Sequence, residues 1–475
     1  MSNLPIEVSA AHPDSGFSAR LRRAWTGLWN WVDRRPARML VMILLMALAL
    51  GTVKLWIDRP SFEYNWENRW WQIALNVARG QGYVACKPLY FPFCGPSNQV
   101  TAMREPLPVL LFALVGRLTN ESLLAAAATG VLANLGVMVG LFMLGREVAS
   151  TRAGVGAALL WALNLAPIRL FYSQVSGDLP ATLMVTWALY FVMRARRLNQ
   201  TSAWIAAGLC LGLATLSRSA VLVITLGLAL GLVAESVGSP RPRREAGTLR
   251  SGPGLPARWR AAALVVLAWA LTIAPWFVRN YAAFGRPVLG STLSGYYLYR
   301  QNHILPSDDY LRFVSGGEFE PVLVARLAAR PDVRGTENEA ELDAIYRDEA
   351  LDVIRAYPLR YAALSACRFL MLWFNWGVKE AYGLSNNLSD RLIVWQQVLL
   401  LLLGSLGAWR LWRQAWPLAI SVVAFTAVYM AVMAHLPYIV PVMPLVALLS
   451  ALALTERGRR TASAKEATPP SVLDR

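Results

Sequence analysis

Runs of roughly 20 apolar residues recur along this 475-residue chain, the first at 39–57. That is about the length an α-helix needs to cross the hydrocarbon core of a bilayer. Inside lipid every backbone N–H and C=O must find its partner within the fold, so such runs can only be helices. Hydrophobic residues make up 56% of the chain and the mean hydropathy is +0.40, against about 45–50% apolar residues in soluble domains. The reading is an all-α polytopic membrane protein built as one integrated bundle. The net charge of +17 then means positive-inside loops and contact with anionic lipid. Nucleic-acid binding is excluded, because no segment offers a basic soluble face.

Lys and Arg placement orients the helices. Residues 1–38 carry Arg20, Arg22, Arg23, Arg34, Arg35 and Arg38 among tryptophans and read as a basic amphipathic segment on the cytoplasmic surface. The first apolar run starts too late for a cleavable signal. Crossings are expected at 39–57, 122–145, 153–173, 179–194, 202–216, 219–234, 261–278, 391–409, 416–434 and 438–454. That makes about ten, with both termini cytoplasmic in a bacterial inner membrane, within a transmembrane domain 39–455. The first extracytoplasmic loop is 58–121, with 106–118 as an interfacial helix. A flexible cytoplasmic linker spans 235–260. Residues 281–360 form a small extracytoplasmic subdomain, and 361–377 lie on or dip into the outer leaflet. Residues 456–475 are a disordered tail. By parity the turn Ser217-Arg218-Ser219 falls outside, against the usual charge bias, so Arg218 faces a cavity or a partner.

The stretch 62–108 is too polar and too rich in Pro and Gly to span a bilayer, yet it is full of Trp, Tyr and Phe. That mixture suits the membrane–water interface. Glu63 and Glu67 lie just past the first span, and Cys86 and Cys94 share the loop. If the loop faces an oxidising compartment the two cysteines are candidates for a disulfide, with two free thiols as the alternative. Further on come Gly80-Gln81-Gly82-Tyr83, Arg104-Glu105-Pro106-Leu107-Pro108, and Gly208 to Arg218. Then follow Pro275-Trp276-Phe277-Val278-Arg279-Asn280-Tyr281 and His435-Leu436-Pro437-Tyr438 with Pro441 and Pro444. In their order and spacing these stretches resemble the glycosyltransferase C (GT-C) superfamily. The branch resembled is that of the protein O-mannosyltransferases and the lipid A aminoarabinose transferase. Two positions depart from its pattern. The first acid of the usual pair reads Trp66, and Pro437 stands where the last-helix motif has Arg.

The resemblance implies transfer of a sugar from a polyprenyl-phosphate donor to a lipid, glycan or protein acceptor outside the cytoplasmic membrane, with inversion. The acceptor needs a carboxylate to take its proton. Glu67 is the first candidate, followed by Asp178 and Glu63. The phosphate needs cations, for which forked guanidinium donors are suited; Arg218, Arg279 and Arg104 are the candidates. Asn280, Tyr281, His435 and Tyr438 complete the expected substrate-binding set. Each has a plain structural alternative: a helix N-cap for Asp178, a dipole-stabilised carboxylate for Glu67, snorkelling cations for the arginines. No metal-ligand spacing is present and no cofactor is demanded, while a divalent metal stays open. The competing class is a catalytically silent relative, or a transporter, that binds a lipid-linked sugar.

Overall fold

The structure is a computed structural model describing residues 27, 29, 32–64, 69–94, 99–170, 175–237, 255–374, 388–434 and 436–456. The first helix, α1, runs Pro36–Tyr64. The aromatic-rich stretch then folds as α2 (Arg69–Ala78), a two-stranded antiparallel ribbon β1 (Val84–Ala85) and β2 (Gln99–Val100), and α3 (Pro106–Leu118). Pro at the start of α3 suits a first turn, which has no use for the missing N–H. Next come α4 (Leu123–Val148), α5 (Thr151–Ala162), α6 (Leu165–Leu170), α7 (Asp178–Leu198) and α8 (Thr201–Thr215). Ser122 and Ser150 cap α4 and α5 by accepting from Ala125 N and Ala153 N. A 3-10 turn, Ser219–Val221, leads into α9 (Leu222–Val237), followed by α10 (Leu255–Phe284).

The polar segment folds as α11 (Ser294–Asn302), α12 (Gly316–Ala328) and α13 (Glu339–Ala356). Asn338 and Glu341 form a reciprocal capping box that fixes the start of α13. The chain ends with α14 (Pro358–Phe374), α15 (Leu388–Arg410), α16 (Trp412–Val432), a 3-10 stretch Leu436–Val442 and α17 (Met443–Thr455).

Among the described residues six helical segments are long and apolar enough to cross a membrane: Pro36–Asp58, Leu123–Val148, Trp259–Phe284, Leu388–Arg410, Trp412–Val432 and Tyr438–Thr455. The protein is therefore an all-α, multi-pass membrane protein. The other expected crossings fall on shorter or more polar helices. Among its described residues the run 153–173 is not one continuous helix: the helix stops at Ala162 and restarts at Leu165. Between them Asn164 turns its Oδ1 to Ala166 N, 3.2 Å away. Asn competes well with helical backbone in this way, which the apolar count did not register.

Close helix contact is built on glycine. A Cβ on Gly208 of α8 would stand 2.4 Å from the Val265 carbonyl oxygen of α10, so only glycine lets the two backbones approach. One large core runs through the bundle, including Leu141, Trp161, Leu189, Phe425 and Leu448. A second, more aromatic core includes Trp71, Tyr90, Phe112, Tyr296 and Tyr346, and joins the first loop to α11–α13. It places residues 69–94 and 99–108 and the segment 294–356 at one end of the bundle. At the opposite end ion pairs tie Arg152 to Asp33, Arg196 to Glu235 and Arg197 to Glu147, while Ser150 donates to Glu456.

Candidate active site

A cavity of about 400 Å³ opens where the first loop, the α8–α9 turn, the α10–α11 connection, α13 and the α16–α17 connection meet. Arg104, Glu105, Arg218, Tyr297, Met433 and Tyr438 are among the side chains lining it. Arg218 reaches it because α8 stops at Thr215 and the chain turns through 216–218 before the 3-10 segment. Its guanidinium pairs with Asp178 at 2.7 Å, and both side chains are nearly buried. It also lies 4.6 Å over the Tyr438 ring. Asp178 opens α7, and Ser176 donates to its Oδ2 at 3.0 Å. Gly177 just before it admits two neighbours at once. A Cβ there would be 2.3 Å from the Ser217 carbonyl oxygen and 2.8 Å from the Trp70 ring. That contact brings the start of α2 against the Asp178 turn.

Arg104 faces the same cavity. Its guanidinium hydrogen-bonds the Tyr297 hydroxyl and stands 5.4 Å over the Trp70 ring. The Tyr83 hydroxyl donates to its backbone oxygen at 2.9 Å. Glu105 is buried and accepts from Ser219 N at 3.0 Å and Ser219 Oγ at 2.8 Å. It precedes α3 without capping it. Its carboxylate instead ties the first loop to the α8–α9 turn.

Of the three arginines that are candidates for the phosphate, Arg279 does not line the cavity that Arg104 and Arg218 face. Arg279 donates to the carbonyl oxygens of Thr101 at 2.8 Å and Tyr83 at 3.2 Å, and to Asn280 Oδ1 at 2.9 Å. Its guanidinium also lies 5.3 Å from the Tyr83 ring and 4.9 Å from the Trp276 ring, which contact each other edge-on. It clamps the first loop to α10 and is not among the residues that line the cavity. Asn280 is fully buried and donates to Val288 O at 3.1 Å. Tyr281 points outward and stacks on Phe277. The reason is local: residues 279–281 continue α10, so consecutive side chains leave it about 100° apart and cannot share one pocket. Glu63 is in the last turn of α1, its side chain outside the described residues, and Glu67 and His435 lie outside the described residues altogether.

The stretch Ser294-Gly295-Tyr296-Tyr297-Leu298 also resembles the GT-C pattern and supplies part of the far wall of the cavity, whereas Asp343 and Arg347 carry no motif. That wall includes Tyr297, Asp343 and Arg347. Asp343 accepts from Gly295 N at 2.7 Å, Tyr296 N at 3.2 Å and Ser294 Oγ at 3.1 Å, capping α11 from α13. Burial lifts its carboxyl to about 6, although these hydrogen bonds pull the other way. Glu339 is likewise raised by burial. It accepts from the Thr101 and Thr292 hydroxyls and from Ala102 N. Among the described residues no group of three or more His, Cys, Asp and Glu side chains is placed to hold a metal ion. Cys86 and Cys94 are joined in a disulfide, with Cα atoms 5.7 Å apart.

The architecture has solved counterparts. The archaeal oligosaccharyltransferase AglB from Archaeoglobus fulgidus, in complex with an inhibitory peptide and a dolichol-phosphate, superposes with a TM-score of 0.53 at 16% identity over 93% of this chain. The fold is the GT-C fold. The same oligosaccharyltransferase tethered to an acceptor peptide gives a TM-score of 0.53 at 16% identity over 90% of this chain. This chain spans 53% and 50% of those two chains, about half their length. ArnT from Cupriavidus metallidurans, bound to undecaprenyl phosphate, is 16% identical over 90% of this chain and 79% of its own, with a TM-score of 0.38. The family model for dolichyl-phosphate-mannose-protein mannosyltransferases matches residues 103–247. The matched segment starts at Met103 beside Arg104 and includes Asp178 and Arg218, three groups at the cavity and its buried ion pair. No curated protein matches the chain.

Proposed function

We propose that the protein is an integral-membrane glycosyltransferase that moves a sugar from a polyprenyl-phosphate donor to an acceptor on the extracytoplasmic side, with inversion. The observation that carries this is the pair of guanidiniums, Arg104 and Arg218, facing one cavity at one end of a GT-C bundle. In this reading they bind the donor phosphate, and Asp178 orients Arg218. Tyr438 packs under Arg218 and limits its freedom. Glu67 takes the proton of the acceptor. It lies three residues before Trp70, which contacts the Gly177 turn next to Asp178. The cavity end is extracytoplasmic, where the Cys86–Cys94 bridge is stable, and both chain ends are cytoplasmic in a bacterial inner membrane. A hexosyl or pentosyl group is transferred, and no metal ligand set is assigned.

The test is sugar transfer by purified protein from synthetic polyprenyl-phosphate sugars across a panel of acceptors. Glu67→Gln keeps shape and removes basicity, so turnover should fall about 10²–10⁴-fold with donor binding retained. If Glu67→Gln turns over at the parent rate while Asp178→Asn is inactive, Asp178 is the base. If the parent binds donor but transfers nothing to any acceptor, the protein is a silent relative and Trp66 is the residue to restore to an acid.

A further inference from the structure

Among the described residues one arginine beside the cavity has no counter-charge. Arg300 lies on α11 one turn beyond Tyr297 and is buried, with 8% of its surface exposed. Its guanidinium stands 5.3 Å over the Tyr297 ring, 5.8 Å over Tyr296 and 5.4 Å over Phe313. Nη2 lies 3.1 Å from the Met433 sulfur, and Nε has no hydrogen-bond partner. Among the described residues no carboxylate forms an ion pair with it. The other deeply buried arginine of this region, Arg368, is treated differently. It donates to the carbonyl oxygens of Met430, Ala431 and Gln301 and to Asn302 Oδ1, all within 3.1 Å.

A guanidinium keeps its charge inside a protein. Burying it without a partner is costly. Aromatic faces compensate only in part, and a thioether is a weak acceptor. Tyr297 and Met433, which cover Arg300, are themselves part of the cavity wall. The Tyr297 hydroxyl is bonded to Arg104 on the cavity side. The Tyr438 hydroxyl feels the charges of Arg218, Arg300 and Arg104 together. Arg218 is compensated by Asp178, and Arg104 has Glu105 beside it. Arg300 is the uncompensated charge of the three.

We propose that Arg300 is a positioning residue for the lipid phosphate released by the reaction, acting across the Tyr297–Met433 wall on a phosphate monoester. This rests on the donor reading given above. In that transfer the acceptor oxygen bonds to the anomeric carbon and its proton passes to the base. The anomeric carbon–oxygen bond breaks, and its electron pair stays on the phosphate oxygen. A phosphodiester with one negative charge thereby becomes a monoester that carries up to two. The added charge is what Arg300 meets.

The experiment uses the full chain in nanodiscs and two probes, geranylgeranyl phosphate and its methyl ester. The first is a monoester and the second a singly charged diester. Arg300→Met keeps the volume and removes the charge. It should weaken monoester binding about tenfold and leave the diester within about twofold. The difference should persist at about 0.5 M salt, because a buried charge is poorly screened. The parent should bind monoester more tightly as pH rises through about 6, where the second phosphate proton is lost, and that rise should flatten in Arg300→Met. Equal binding by parent and Arg300→Met overturns the proposal. So does an equal loss of both probes. A parent that binds neither probe overturns the donor reading together with this one, whereas a parent that binds both while Arg300→Met matches it overturns this one alone.

Discussion

Two arginine–carboxylate pairs sit at opposite ends of the bundle and differ in what surrounds them. At the cavity Arg218 and Asp178 are 2.7 Å apart, with side chains 12% and 6% exposed. At the other end Arg152 and Asp33 are 2.5 Å apart and 38% and 43% exposed. An exposed pair contributes little and tolerates loss. A buried pair costs about as much to desolvate as it returns, and breaking it strands a charge. Stability therefore gives no reason to keep Arg218 and Asp178 buried. Under the proposed function, a guanidinium held ready for an anionic ligand does give one, and Arg152 and Asp33 have no such role.

The comparison can be broken most directly at Arg218. Arg218→Ala should cost about 3–5 kcal/mol of stability, because Asp178 is left buried without its partner. Thermal unfolding in detergent reads this, and a loss below about 1 kcal/mol would make the two pairs equivalent. Adding Asp178→Asn to Arg218→Ala should recover much of the loss, since no charge is then stranded.

The cavity end is also held covalently. The Cys86–Cys94 loop inserts Tyr90 against Tyr296, at a centroid distance of 4.7 Å, and the Tyr346 hydroxyl donates to the Tyr90 carbonyl oxygen. Replacing both cysteines with serine should lower stability by roughly 2–3 kcal/mol, the range for closing a short loop. Protease nicking between the two positions should become faster. Unchanged stability would show that aromatic packing alone suffices.

Asp343 sharpens the contrast through pH. Its carboxyl is raised to about 6 in the folded state, chiefly by burial and against the pull of its hydrogen bonds and Arg347. An unfolded aspartate titrates near 3.9. The folded state therefore binds more protons between these values. The stability this contributes is complete below about 3.9 and lost as pH rises through about 6. Asp343→Asn keeps an acceptor for the amides of Gly295 and Tyr296, and should remove up to about 3 kcal/mol of that slope. Unfolding midpoints measured from pH 4 to 7 would show parallel curves if the carboxyl does not titrate there. The smallest effect belongs to the far end: Arg152→Ala should change stability by only about 0.2–1 kcal/mol and should weaken further with salt.

Much of the architecture was legible because helix length and hydropathy are local properties. A helix is expected at 106–118, and α3 runs Pro106–Leu118. The span expected at 391–409 lies within α15, Leu388–Arg410. Where a polar side chain captures the backbone, as Asn164 does, the same count runs two helices together. Arg218 was singled out because its charge contradicts its place in the topology, and it does face the cavity. Arg279 was singled out by motif, and a motif does not say which way a helical side chain turns.

What the sequence by itself determined is the list of parts: apolar helices of spanning length, an aromatic loop with two cysteines, and arginines at helix ends. Only the tertiary structure decided which parts meet. Arg218 and Asp178 pair across the ends of α8 and α7, while Glu105 and Ser219 bond across 114 residues. Arg279 spends its donors on the carbonyl oxygens of Thr101 and Tyr83. The physical reason is range. Backbone hydrogen bonding and hydropathy act over a few residues and leave a period in the sequence. The partner of a buried charge is set by whichever distant segment packs against it, and that leaves no local trace.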